Sequence, residues 1–184
     1  MKVKKLTTTS GKFIHVYDDV LPKAANLKLS LLCQSSPFNL SNGSLPLLEK
    51  LKERILSVSF NEFDIGKLGF FDKENIRQIM EENELSLRDR KRTWVLLGTH
   101  LSKYSYHPDC QAGGKTIMYY LNIKWDVDWG GETIFCDDEG EAEIAISCKP
   151  NRVVVFDSSI LHKPSSISYD AEPYRFTLTS TFEK

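Results

Sequence analysis

From Arg92 onward the sequence is a succession of short β-branched and aromatic runs: TWVLLGTHL, TIMYYLNIKW, ETIFC, AEIAI, RVVVFD and YRFTLTSTF. Gly, Pro, Asn and Asp separate them. Runs this short with turn residues between them return each strand against the last, so the second half predicts a β-sandwich or small barrel. The first half predicts mainly helix. KFIHVYDDVL (12–21) alternates as a strand and meets Pro22, which suits the first turn of a helix over KAANLKLSLLCQ (23–34). LPLLEKLKERILSVSF (45–60) reads as a second amphipathic helix, followed by a loop with Gly66 and Gly69. DKENIRQIMEENEL (72–85) reads as a third helix, with Asp72 as its N-cap. These helices are expected to buttress one sheet. No repeat, low-complexity stretch or linker divides the 184 residues. The expectation is one domain, with helix-rich support over 1–91 and a β-barrel core over 92–184.

Net charge is −1 at pH 7, so nothing global points to nucleic acid or an anionic membrane as partner. The basic opening MKVKK lacks the apolar stretch of a signal peptide, and no apolar run reaches the roughly 18 residues of a membrane span. A cytoplasmic chain is expected, and its oligomeric state stays open. Cys33, Cys110, Cys136 and Cys148 have no C-x-x-C spacing and read as free thiols.

The chemistry concentrates in SKYSYHPDCQAGGKT (102–116). In a strand residues i and i+2 share a face, so His107 and Asp109 on one strand can address one atom, while Pro108 suits a strand edge or a strand end opening into a pocket. One imidazole and one carboxylate are two thirds of a 2-His-1-carboxylate triad for non-haem Fe(II). Of the four histidines, His162 in VVVFDSSILHKPSS is the best third ligand, since it follows a strongly apolar strand and a short turn. Arg175, on the final strand, offers a guanidinium fork for a carboxylate, with Thr177 and Thr179 on its face. A dicarboxylate cosubstrate such as 2-oxoglutarate would need such a cation.

HPD, then TIMYYLNIKWDVDWGGETIF, then KPNRVVVFDSSILHKPSS, then YRFTLTSTF together resemble the catalytic core of the Fe(II)/2-oxoglutarate dioxygenases, specifically the prolyl 4-hydroxylase-like group. FIHVYDDVLPKAA resembles the strand-then-helix start of such proteins, while the rest of the first half resembles them only loosely. The resemblance implies a double-stranded β-helix (jelly-roll, cupin-like) core with His107, Asp109 and His162 as iron ligands. It implies Arg175 as the anchor of the 2-oxoglutarate C5-carboxylate, with Tyr120 and Thr179 as further cosubstrate contacts. The family often has a cosubstrate-contacting tyrosine on the strand before H-x-D; here Tyr104 and Tyr106 stand closer to the motif, and whether either makes that contact stays open. The implied activity is O₂-dependent hydroxylation of a prolyl residue in a peptide or protein, with ascorbate restoring over-oxidised iron. The same chemistry on an amino acid, nucleotide or sugar is the second reading, and a cupin-like metal-binding protein or zinc hydrolase the third. For the basic run RDRKR (88–92) a charged loop is favoured over contact with an anionic substrate.

Overall fold

The computed structural model describes residues 1–40, 54–110, 113–171 and 174–183. Its strands are β1 (Lys2–Thr7), β2 (Phe13–Asp18), β3 (Asn39–Leu40), β4 (Leu56–Ser59), β5 (Arg90–Gly98), β6 (Lys115–Tyr120), β7 (Thr133–Cys136), β8 (Ala142–Ile146), β9 (Arg152–Asp157), β10 (His162–Pro164) and β11 (Arg175–Phe182). They form two sheets, one ordered β1-β2-β9-β6-β11-β5-β4-β3 and the other β10-β7-β8. Every pairing is antiparallel. This is the mainly β, jelly-roll core that the sequence predicts.

Alternation along the central strands sorts the core into two layers. Val154, Phe156, Met118 and Tyr120 meet Phe135 and Ile146 of the smaller sheet. Val153, Val155, Ile117, Tyr119, Phe176 and Leu178 turn the other way, onto the helices. Burial on both faces explains why RVVVFD is an unbroken apolar run instead of an alternating one. The helices are α1 (Lys23–Gln34), α2 (Glu62–Leu68) and α3 (Glu74–Glu82).

Helix α1 has the expected bounds, with Pro22 just outside as its N-cap. The expected 45–60 helix lies outside the described residues through residue 53. Its end, Leu56–Ser59, is strand β4, paired in register with β5. Helical spacing lost there to a waiting strand edge, whose ladder satisfies the backbone of LSVS. The expected loop after residue 60 contains α2: the Asn61 side chain accepts from the Asp64 backbone N–H at 2.9 Å, and Gly69 ends the helix at φ 59°. Asp72 does not cap α3. Lys73 takes the N-cap position without a side-chain bond, and Asp72 pairs with Arg77 at 3.7 Å. A missing cap costs about 1 kcal/mol. Burial of Ile76, Ile79 and Met80 contributes about 1.5–3 kcal/mol for each side chain, so packing decides the helix.

Candidate active site

His107 and Asp109 lie in the irregular segment between β5 and β6, and not on a regular strand. An isolated bridge fixes them: His107 and His162 exchange backbone N–H to carbonyl bonds, both of 3.1 Å. The two imidazole centroids are 4.8 Å apart. The Asp109 backbone N–H donates to the Ser158 carbonyl at 2.9 Å, and Thr116 Oγ1 donates to Asp109 Oδ2 at 2.8 Å. His107 Nε2 stands 3.9 Å from Asp109 Oδ1, and His162 Nε2 3.6 Å from Oδ2. All three ligand atoms lie within 4.8 Å of one another, and no other His, Cys, Asp or Glu trio among the described residues is so placed.

The protonation pattern suits a metal. Each imidazole donates Nδ1–H to a carbonyl, His107 to Ser105 at 3.0 Å and His162 to Ile160 at 2.9 Å. Both Nε2 lone pairs therefore face the shared space, the usual arrangement for ligating histidines. Burial pushes the His162 pKa below the usual histidine range, favouring the neutral form that binds metal. The Asp109 and His162 side chains are 6% and 8% exposed, whereas His107 is 52% exposed. The site is sealed on two sides and open on the third.

A cavity of about 370 Å³ connects this trio to Arg175. Arg175 begins β11 opposite Gly98 and is 1% exposed. Its Nε donates to the Gly131 carbonyl at 2.8 Å and its Nη2 to Thr133 Oγ1 at 3.0 Å. No Asp or Glu among the described residues forms an ion pair with it. A charge buried this deeply is costly unless an anion joins it. Gly131 has φ +77°, and a Cβ there would come within 3.2 Å of Arg175 Cδ, so the Nε contact depends on glycine.

Tyr104 lines the same cavity, and its hydroxyl is buried without a hydrogen-bond partner among the described residues. Burial pushes its pKa up, with the Arg175 charge offsetting part of the rise. A Cβ on Gly98 would lie 2.2 Å from this hydroxyl oxygen and 3.7 Å from Arg175 Cβ, so glycine makes room for the phenol beside the arginine. A buried guanidinium and an unsatisfied hydroxyl in one corner suit a carboxylate; two imidazoles and a carboxylate at the other end suit a divalent metal.

Thr177 and Thr179 line the cavity on Arg175's face of β11. Tyr120 does not line it. Its hydroxyl is hydrogen-bonded with Thr133 Oγ1 at 2.8 Å, and its ring centroid is 5.2 Å from the Arg175 guanidinium carbon. Tyr106 is 39% exposed and lies outside the cavity. Cys110 is a free thiol outside the metal trio. Among the described residues, 60–72 contribute nothing to the cavity lining, and 163–171 contribute Pro164. Arg92 and Trp94 do line it, although the basic run around Arg92 resembles an ordinary charged loop. Strand alternation back from Gly98 would have found them.

Residues 93–182 match the 2OG-Fe(II) oxygenase superfamily. No curated protein matches the sequence. Among solved structures the chain is similar to a Pseudomonas putida prolyl-4-hydroxylase at TM-score 0.63 and 16% identity, over 93% of this chain and 92% of that one. It is also similar to a Trichoplax adhaerens prolyl hydroxylase in complex with a hypoxia inducible factor oxygen degradation domain peptide fragment, at TM-score 0.67 and 18% identity, over 92% and 83%. A third fold relative is SnoN, a non-heme alpha ketoglutarate dependent epimerase from nogalamycin biosynthesis, at TM-score 0.59 and 10% identity, over 93% and 77%. The superfamily works with Fe(II), 2-oxoglutarate and O₂. The matched segment contains the His-Asp-His trio and Arg175; over it the chain is similar to the 2-oxoglutarate/Fe(II) oxygenase superfamily, and the whole has a prolyl-4-hydroxylase-like fold.

Proposed function

We propose that the protein hydroxylates a C–H bond of a prolyl residue in a peptide or protein, with His107, Asp109 and His162 holding Fe(II). One observation carries this reading: a metal-spaced trio and a buried guanidinium, which lacks a carboxylate partner among the described residues, share a single cavity. When bound, Fe(II), 2-oxoglutarate and O₂ supply the oxidising chemistry, which releases succinate and CO₂.

The residues of the chain bind, orient and exclude water. Arg175 receives the distal carboxylate of 2-oxoglutarate, Thr179 adds a hydroxyl donor from the same strand face, and Tyr104 supplies the donor that lacks a partner. Tyr120 serves the cosubstrate through Arg175, by stacking on the guanidinium and bonding its partner Thr133. Thr116 and Ser158 hold Asp109 in one rotamer. Phe135 and Phe156, with ring centroids 5.7 and 4.9 Å from that of His162, keep its side of the site dry. Substrate approaches from the exposed side, past His107.

Tyr104→Phe tests this assignment with two readouts of opposite sign. Removing a buried, unbonded hydroxyl should raise the stability of the ligand-free protein by about 1 kcal/mol. The same change should weaken 2-oxoglutarate several-fold. A gain in melting temperature with unchanged 2-oxoglutarate affinity would remove Tyr104 from the binding set.

For the substrate, the protein with Fe(II), 2-oxoglutarate and ascorbate should release succinate slowly alone and faster with proline-containing peptides, which gain one oxygen atom by mass. Two observations favour a second reading, the same chemistry on a small molecule: the modest cavity and the fold shared with an epimerase. Succinate release stimulated by amino acids, nucleotides or sugars, and not by peptides, would establish that reading in place of the first.

A further inference from the structure

The basic run at 88–92 is divided by the fold. Thr181 pairs with Arg92 and the next residue, Phe182, pairs with Arg90, so one extra residue bulges from β5 at Lys91. Residues two apart on a regular strand share a face; this bulge puts Arg90 and Arg92 on opposite ones. Arg90 follows Phe182 to the helix side, where it pairs with Glu62 and lies 5.5 Å over the Phe71 ring. Arg92 follows Thr181 into the cavity lining, its guanidinium carbon 4.4 Å from the Trp94 ring centroid.

Strand register locates this second guanidinium. Thr116, which bonds Asp109, is opposite Thr181, and Thr181 is opposite Arg92. Arg92 therefore starts two strand spacings, about 10 Å, across the cavity from the metal trio's carboxylate. The Arg175 backbone lies six residues along β11 from this rung, about 20 Å away, while its guanidinium reaches Thr133, which is opposite Pro164, two residues from His162. The cavity has two arginines in two directions, a buried one along the strands and an exposed one across them. The buried one is committed to the cosubstrate, and Arg92 is left for whatever enters at the mouth.

We propose that Arg92, held over the Trp94 ring, is the substrate-recognition residue, and that the substrate carries a carboxylate within about two residues, or about 10 Å, of the hydroxylated carbon. The indole attracts the guanidinium through its π face, and with no ion pair to a carboxylate among the described residues Arg92 has N–H donors for a two-bond contact to a carboxylate. The apolar Trp94 and Leu96, which follow it at every second residue of β5 in the cavity lining, accept the uncharged part of the same molecule. A single guanidinium matches one negative charge. This inference rests on the oxygenase reading for the direction of substrate entry, and it narrows the substrate to an acidic one.

The test uses matched probes differing only in charge: proline peptides with Glu or Gln one or two residues from the proline, and free glutamate against glutamine. The peptide pairs and the free pair distinguish an acidic peptide from a small acid. Two readouts are taken: stimulated succinate release with Fe(II) and 2-oxoglutarate, and tryptophan fluorescence titration of the Zn(II)-substituted, redox-inert protein. The carboxylate member of a pair should bind and stimulate at least about tenfold better than its amide. In Arg92→Gln that ratio should fall to near one, and Arg92→Lys should recover only part of it. Because the ratio is taken within each variant, a general loss of metal or cosubstrate cancels. Equal responses to both members, a preference that survives Arg92→Gln, or no binding of any carboxylate probe would overturn the proposal. A charge preference in fluorescence without any succinate would support the Arg92 site and reject the oxygenase reading.

Discussion

Asp109→Ala is expected to abolish metal binding and all 2-oxoglutarate turnover while leaving the fold intact. Its carboxylate is the only anionic donor of the trio and is nearly sealed from solvent. Without it two neutral imidazoles remain, and one of them is half exposed. Substitutions in the shell around a metal's ligands typically cost 10–100-fold in affinity; loss of the charged ligand itself should exceed that range. The fold does not depend on this side chain, because the His107–His162 bridge and the Asp109 N–H to Ser158 bond use backbone atoms. Anaerobic titration with Fe(II) or Mn(II) should show no saturable binding, and added metal should no longer raise the melting temperature. Asp109→Asn separates charge from shape, since its amide can still accept from Thr116; it should lose metal almost as completely. Retained metal affinity in either variant would place the ion elsewhere.

Arg175→Ala is expected to weaken 2-oxoglutarate by roughly 30-fold or more and to change metal affinity only slightly. Truncating one partner of a buried, hydrogen-bonded charge pair costs about 2–5 kcal/mol, and each 1.4 kcal/mol is about tenfold. The substitution also strips the Gly131 carbonyl and Thr133 Oγ1 of their donor. A buried group left unpaired costs about 1–3 kcal/mol, so a lower melting temperature accompanies the binding defect. Arg175→Lys is the sharper variant. It keeps the charge, but its ammonium cannot span Gly131, Thr133 and a carboxylate in one plane, so little affinity should return. Parallel loss of metal and cosubstrate would mean that the arginine supports the whole barrel and anchors nothing in particular.

The sequence carries the second half of this molecule more clearly than the first. RVVVFD, TIMYYL and RFTLTSTF are buried on both faces between helices and the smaller sheet, so their composition allows little but central strands. Segment 56–59 became a strand because β5 offered an unpaired edge, a tertiary fact absent from local periodicity. Helix α2 was legible only in the spacing of Asn61 and Asp64, a capping signal obscured by the two glycines near it. The trio's residue types and spacing were readable in H-x-D and the later histidine. Its mechanical basis, a lone bridge in place of a strand, was not. Tyr104's position depends on the empty space above Gly98, and the placing of Arg90 and Arg92 on opposite faces on a one-residue bulge. Both are consequences of packing and register that no linear motif encodes.

One small dicarboxylate is expected to span the space between the trio and the buried guanidinium. A crystal structure of the protein loaded anaerobically with Mn(II) and 2-oxoglutarate tests it most directly. The ion should sit on His107 Nε2, Asp109 and His162 Nε2, with the keto-acid end of the ligand on the same ion and the far carboxylate against Arg175 and the Tyr104 hydroxyl. An ion bound away from the trio, or a ligand whose far carboxylate turns to solvent and leaves Arg175 alone, would contradict it.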